Sequence, residues 1–171
     1  YNCCIGGAHR LNEPRDVLVR FHEIGLKGKN QSMFVNRLLA NLRRATAGYG
    51  VEQVWSTRML VHMRLASDAD WDTIRSRTEN VFGAVKFSRA LRIDPHLDAI
   101  STATVDLALS RDFSTFRVSA NRADKRFPLT SHDLNVLLGN LVRAASGASV
   151  NLKNADLDLH VEVHRDDSFV Y

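Results

Sequence analysis

The chain has 171 residues, of which 44% are hydrophobic and 25% are charged, and this balance is typical of a globular protein and excludes a disordered one. Its net charge of +4 permits a nucleic-acid partner without requiring one. No apolar stretch is long enough to cross a membrane. The two cysteines, Cys3 and Cys4, are adjacent, so they can neither join distant segments nor complete a zinc site, and we expect a reduced, cytoplasmic setting.

The hydrophobic patterns of the first half predict a β-α-β-β-α-β unit of the ferredoxin-like type. Residues 1–15 show no period, and we expect a flexible leader or an added segment there. The predicted elements that follow are strand 16–21, a glycine-containing loop, a helix between Asn30 and Gly48, strands 51–56 and 59–65, helix 67–81 and strand 85–92. We expect Asn30 to cap the first helix. In strand 59–65, Val61 and Met63 are predicted to face one side of the sheet, and His62 the other.

The patterns of the second half predict an α-β-α-β-β module, so the fold class is α+β. Asp94 and Pro95 are typical of a helix start, with Asp at the cap and Pro at the first helical position. The later elements are a strand near 116–120, a helix capped by Thr130 or Ser131, and strands 157–163 and 168–171. On one face that helix would carry Leu134, Leu137, Leu138, Leu141, Val142 and Ala145. No flexible linker separates the two halves, so we expect them to pack as one body.

Three loops concentrate side chains that can contact phosphate. These side chains are Lys27, Lys29 and Asn30 in the first loop, Arg122, Lys125 and Arg126 in the second, and Lys153 and Asn154 in the third. The first two loops precede helix N-termini, where free N–H groups and a partial positive charge favour anions. Ordinary solvated charge is the commoner explanation of a lone basic cluster. Phe127 has the chemistry to stack on a base, but a Phe before Pro128 more often anchors its loop in the core, and we favour that role.

Motifs of known catalytic chemistry are absent from the sequence. There is no G-x-x-x-x-G-K-[ST], no G-x-G-x-x-G and no G-x-S-x-G. The seven histidines are scattered without metal-ligand spacing and are expected to lie on the surface. Glu23 is a lone acid without a visible partner for general-base chemistry. We therefore assign no catalytic residue, metal site or cofactor to this chain.

Four separated stretches of the sequence carry a resemblance to a known family. They are EIGLKGKN at 23–30, VFGAVKFSRA at 81–90, FRVSANRADKRFPLTS at 116–131 and VNLKNADLDLHVEV at 150–163. In this order they resemble the N-terminal half of the bacterial and archaeal tRNA 4-thiouridine synthetases, the tRNA sulfurtransferases of the ThiI family. The similarity runs from about Val17 to Tyr171. It implies an N-terminal ferredoxin-like domain at 16–76 and a THUMP domain at 77–171.

The resemblance implies that the chain is a tRNA-binding module. In that family the THUMP domain recognises the 3′ CCA end and the acceptor stem, and it presents the tRNA to a separate PP-loop catalytic domain. That domain uses ATP and a sulfur donor to form 4-thiouridine, and its ATP loop and cysteines are absent here. We therefore expect this chain alone to bind tRNA without catalysis, and to be cut near the linker to that domain. A homodimer and a part in thiamine synthesis would depend on the absent parts.

The motif match assigns RNA binding to the residues of the three loops named above. Three positions depart from the family pattern. His22 stands where Gly is usual, Ala155 stands where Pro is frequent, and Asn121 stands where a basic residue is common. The last departure weakens the case for a phosphate contact at that position.

Two other interpretations stay open at this point. THUMP modules also serve other RNA-modifying enzymes, although the EIGLKGKN motif and the ferredoxin-like unit favour the sulfurtransferases. A ferredoxin-like interaction module without an RNA role is the second alternative. It predicts that the basic residues of the first two loops do not share one face.

Overall fold

The structure, a computed structural model, describes residues 14–21, 31–57 and 60–171. Its elements are β1 (Asp16–Phe21), α1 (Gln31–Ala45), β2 (Val51–Thr57), β3 (Leu60–Leu65), α2 (Trp71–Glu79), β4 (Ala84–Ile93), α3 (Leu97–Leu109), β5 (Thr115–Arg122), α4 (Ser131–Ser146), β6 (Ser149–Val150), β7 (Leu157–Val163) and β8 (Ser168–Val170). The predicted α+β class and element order are confirmed, and the two-residue strand β6 is an addition that no sequence period indicated.

The first four strands form an antiparallel sheet in the order β2-β3-β1-β4. Alternate side chains of β1 and β3, among them Val17, Val19, Val61 and Met63, point to one face. Helices α1 and α2 cover that face because each presents an apolar stripe to it. This arrangement is the ferredoxin-like unit that the sequence predicts.

The second unit is built on the parallel pair of β5 and β7, with β8 antiparallel to β7 and β6 at the edge. Helices α3 and α4 pack on the same face as Phe116, Leu159 and Val161. No helix in the described ranges is long and apolar enough to cross a membrane.

Strand β4 belongs to both units and joins their sheets. Its first part, Ala84 to Ala90, pairs with β1, and Leu91 to Ile93 pair with β8. The result is a single eight-stranded sheet in the order β2-β3-β1-β4-β8-β7-β5-β6. The predicted division of the chain at residue 76 stays a prediction, because a continuous sheet offers no break at which to test it.

The sheet face opposite the helices has a small core of its own, made of Leu18, Ala90, Phe169 and Tyr171. His62 of β3 also points to this face and is only 1% exposed. Its ring lies between Trp55, at 5.1 Å between centroids, and Phe169, at 5.2 Å. The expectation of a surface histidine is therefore wrong at this position, because the second unit covers a face that the ferredoxin-like unit alone would expose.

Two helices begin later than the sequence predicted. Helix α2 begins at Trp71 because Asp70 is its cap, with Asp70 Oδ1 accepting from Thr73 N at 3.1 Å. Helix α3 begins at Leu97, so the prediction that Asp94 caps it is wrong. His96 N donates to Asp94 O at 2.8 Å, and this tight turn separates the end of β4 from the helix.

Helix α4 has a narrower core face than predicted. Leu134, Leu138 and Val142 are fully buried, whereas Leu141 is 39% exposed and Ala145 is exposed. Residues four apart form one stripe along a helix, and that stripe is the fully buried part of α4, with Leu137 partly buried beside it. The prediction that Ala145 faces the core is therefore wrong.

Candidate nucleic-acid interface

The first of the three predicted loops, with Lys27, Lys29 and Asn30, lies outside the described residues. The expected cap of α1 by Asn30 lies outside them as well. The structure does describe the second and third loops, with their predicted contacts Arg122, Lys125, Arg126, Lys153 and Asn154.

The loop between β5 and α4, residues 123–130, leaves the sheet in a fixed direction. Ala123 N donates to Val163 O at 2.8 Å, which continues the pairing with β7 for one residue. Arg122 N donates to Ser131 Oγ at 2.9 Å, which ties the end of β5 to the start of α4. The loop is thus closed at its base and presents its tip beyond the carboxyl ends of the parallel strands.

Thr130 caps α4, as the sequence predicted, and it does so in a capping box with Asp133. Asp133 N donates to Thr130 Oγ1 at 3.2 Å, and Thr130 N donates to Asp133 Oδ2 at 2.9 Å. Hydrogen bonds from Thr130 hold the pKa of the Asp133 carboxyl below its usual value. This carboxylate offsets part of the positive end of the helix, so the loop cations carry more of any anion binding than the helix does.

The two arginines of this loop are already engaged. Arg122 Nη1 donates to Phe127 O at 3.2 Å and to Lys125 O at 3.5 Å, so Arg122 holds the shape of the loop. Arg126 makes a two-point pair with Asp124, with Nε to Oδ1 at 3.0 Å and Nη2 to Oδ2 at 2.7 Å. This pair lowers the pKa of Asp124 to about 2. A phosphate would have to share Arg126 with Asp124.

Lys125 is the exposed cation at the tip of the loop, and it forms no ion pair with any other residue that the structure describes. Arg165, in the turn between β7 and β8, is a second exposed cation here. Its charge contributes to the low pKa of Asp124, and its Nε lies 3.9 Å from Asp166 Oδ1. Arg165 is not among the predicted contacts, because it lies between the predicted strands 157–163 and 168–171 and outside the matched motifs.

Phe127 fills the base of the loop. Its side chain is half-buried and packs against the core beneath α4. The expectation that it anchors the loop is confirmed, and its ring is not displayed for stacking.

The third loop, before β7, is also ordered by its own side chains. Asn151 Oδ1 accepts from Lys153 N and from Asn154 N, both at 3.1 Å, and Asn151 Nδ2 donates to Asn154 O at 2.9 Å. Asp156 Oδ2 accepts from Thr115 N at 2.9 Å, which fastens the loop to β5. Lys153 and Asn154 are exposed on this frame.

The structure does not bring the second and third loops together. Strands β5 and β7 are parallel, the second loop follows β5, and the third loop precedes β7. The loops therefore lie at opposite ends of the strand pair. Eight residues of β5 separate them by roughly 25 Å at the usual rise of a strand. A ligand that contacts both loops must span this distance.

Ion pairs compensate the charge on the open face of the sheet between these ends. Arg20 Nη2 donates to Tyr171 Oη at 2.6 Å and lies 3.5 Å from Glu162 Oε1. Asn121 Nδ2 donates to Glu162 Oε2 at 2.6 Å, so Asn121 serves this network. Burial raises the pKa of Glu162, and Arg117 holds the pKa of Asp158 low. In the described ranges no group of three or more His, Cys, Asp or Glu could hold a metal ion.

Comparisons with known proteins agree with this architecture. Residues 16–88 match the model of the ThiI ferredoxin-like domain, and residues 96–171 match the THUMP domain. A probable tRNA sulfurtransferase of Thermus thermophilus is 38% identical over 84% of this chain, and one of Moorella thermoacetica is 36% identical over 91%. The chain spans 35% and 40% of the lengths of these two relatives.

Solved structures show the same arrangement. PH1313 from Pyrococcus horikoshii is 25% identical, with a TM-score of 0.78 over 91% of this chain and 53% of its own. A 4-thiouridine synthetase, solved in complex with RNA and ATP, is 25% identical with a TM-score of 0.75 over 93% of this chain and 41% of its own. The chain therefore belongs to the tRNA sulfurtransferase family, of which it represents the ThiI-type ferredoxin-like and THUMP region.

Proposed function

We propose that this chain is a tRNA-binding module that recognises the acceptor stem and 3′ CCA end and presents the tRNA for 4-thiouridine formation. The observation that carries the proposal is the rigid loop at the end of β5, which displays Lys125 and Arg126 on a THUMP domain. The similar 4-thiouridine synthetase forms a complex with RNA, and the similar bacterial proteins bear the name tRNA sulfurtransferase. The match of residues 16–88 to a ThiI-type domain favours a role in 4-thiouridine formation over a role in other THUMP-containing enzymes.

The chemistry of sulfur transfer belongs, in this proposal, to the portion of the relatives that the chain does not span. ATP and a sulfur donor would act in that portion, on a PP-loop catalytic domain, and a homodimer would depend on it too. The proposed setting is the cytoplasm, where tRNA is modified. Within this division of labour the present residues bind and orient the RNA.

Binding to tRNA with and without its 3′ CCA end, across a salt series, tests the proposal. We expect removal of the CCA to weaken binding, because the THUMP domain would lose its terminal contact. Lys125→Glu should weaken binding to both tRNAs and lower the slope of log K against log salt by about one unit. Arg75→Glu, which reverses a charge in an exposed pair with Glu79 on α2, is the matched control.

Equal, salt-sensitive binding of both tRNAs would show non-specific binding to a cationic surface and contradict CCA recognition. An unchanged slope in the Lys125 variant would show that the loop does not touch phosphate. Absence of binding at low salt would contradict the proposed function as a whole.

A further inference from the structure

Phe82 is the large hydrophobic side chain that the described part of the molecule exposes most. It is 84% exposed, compared with 72% for Leu152 and 67% for Met33. An aromatic ring in water at this level contributes nothing to the core, so folding does not account for its position. It lies in the turn between α2 and β4, in the ferredoxin-like unit, at the end of β4 opposite the loop of Lys125.

The turn that carries Phe82 is rigid. Ala84 N donates to Val81 O at 3.1 Å, and Val81 is buried in the core. Gly83 has a φ of +98°, as the third residue of a type II turn requires. A Cβ on Gly83 would lie 2.9 Å from the ring of Phe34, so α1 packs directly under the turn. Because this frame already holds the Phe82 ring outward, binding a ligand to the ring would cost little further conformational entropy.

Two exposed cations lie on the elements next to this turn. Lys86 is the third residue of β4, and Arg37 lies on α1 three residues after Phe34, one turn along the helix surface. Neither forms an ion pair with another described residue. The nearest acid at the end of α2, Glu79, is paired with Arg75 at 3.1 Å. An exposed aromatic ring with unpaired cations on the neighbouring elements complements a polyanion that also carries flat apolar groups, as a nucleic acid does.

We propose that Phe82 is a stacking platform for an unpaired nucleobase of the bound tRNA, with Lys86 and Arg37 at the neighbouring phosphates. The inference rests on the proposed tRNA function. Ala84 and Ile93 are the two ends of β4, and Ile93 lies at the end of the sheet that carries the loop of Lys125. Ten residues of strand make a separation of about 30 Å. Phe82 therefore contacts a part of the tRNA other than its CCA end.

Three substitutions at position 82 separate stacking from a merely apolar contact. Phe82→Ala and Phe82→Leu should each weaken tRNA binding at least about fivefold, because both remove the aromatic face. Phe82→Trp should bind as tightly as the wild type, and its indole fluorescence should be quenched when tRNA is added. The loss in Phe82→Ala should be the same for tRNA with and without the CCA. Leu109→Ala, which truncates another exposed apolar side chain, is the control and should bind normally.

Several results would overturn the inference while leaving the proposed function in place. Normal binding by Phe82→Ala would show that the ring does not touch RNA. Wild-type binding by Phe82→Leu would show an apolar contact without stacking. A loss of affinity confined to tRNA with an intact CCA would show that the ring contacts the CCA end and not another part of the tRNA. If the wild-type chain binds no tRNA, the proposed function and this inference fall together.

Discussion

At the scale of single residues, hydrogen bonds and ion pairs within the protein decide which cations are available to contact RNA. Arg122 and Arg126 both point into the loop after β5, one holding carbonyl oxygens and the other a carboxylate. Lys125 carries no such engagement within the described ranges. Three basic residues that look equivalent in the sequence therefore differ in their availability, and we expect Lys125 to make the first phosphate contact.

His62 is the residue at which burial matters most for stability. Its pKa is lowered to about 4, mainly because burial disfavours the charged ring, with Arg92 and His164 opposing protonation and Asp167 favouring it. An unfolded histidine titrates near pH 6.5. Between these two values the unfolded chain binds more protons than the folded one, so stability present above pH 6.5 is lost as the pH falls towards 4.

We predict an acid-side loss of stability from His62 of about 3 kcal/mol between pH 6.5 and 4. A phenylalanine at this position would fit among the neighbouring aromatic rings without a titrating group, so His62→Phe should flatten most of this slope. His160, whose pKa burial also lowers, would account for the remainder. Urea unfolding at a series of pH values measures the slope, and His132→Ala, on the first turn of α4, is the control. Identical profiles for the wild type and His62→Phe would assign the acid sensitivity to other groups.

At the scale of elements, α4 is the helix whose two ends are indicated most clearly by capping residues in the sequence. Thr130 and Asp133 begin it, and Gly147, with a φ of +73°, ends it in the left-handed conformation that glycine favours. Gly139, in the middle of α4, does not have a positive φ. A methyl group at either glycine would meet open space within 4 Å. The two positions therefore differ in backbone conformation and not in packing.

Gly139→Ala should stabilise the protein by about 0.5–1 kcal/mol, because alanine loses less backbone entropy than glycine in a helix. Gly147→Ala should destabilise it by about 1 kcal/mol, because a Cβ disfavours positive φ. Urea unfolding of the two variants at neutral pH measures both changes. Destabilisation by Gly139→Ala would mean that α4 packs more closely there than the structure shows.

At the scale of the whole molecule, the parallel pair of β5 and β7 sets the reach of the RNA interface. It places Lys125 and Lys153 at opposite ends of the sheet, roughly 25 Å apart. The open face between them is charge-compensated, so these two loops would hold a bound tRNA at separate points and not along the whole face. Phosphate contacts at such a distance act independently.

The losses of tRNA affinity in Lys125→Glu and Lys153→Glu should therefore add in the double variant to within about 0.5 kcal/mol. Binding of the wild type, the two single variants and the double variant at one salt concentration measures this. A loss in the double variant no larger than in either single variant would mean that one contact depends on the other. Normal binding by Lys153→Glu would remove the third loop from the interface.

The sequence by itself determined the element order, the fold class, the cap at Thr130 and the family. These follow from local chemistry: the periods of 2 and 3.6, the capping residues and four ordered motifs are all read along the chain.

Only the tertiary structure decided how residues distant in sequence meet. The second unit covers His62, which strand alternation alone would have left on a surface. The parallel pairing of β5 and β7 separates two basic loops, and β4, shared between the units, makes one sheet of them. The sequence periods show which side of a strand a residue faces, whereas only the packed sheet shows what lies against that side and at which end each loop stands.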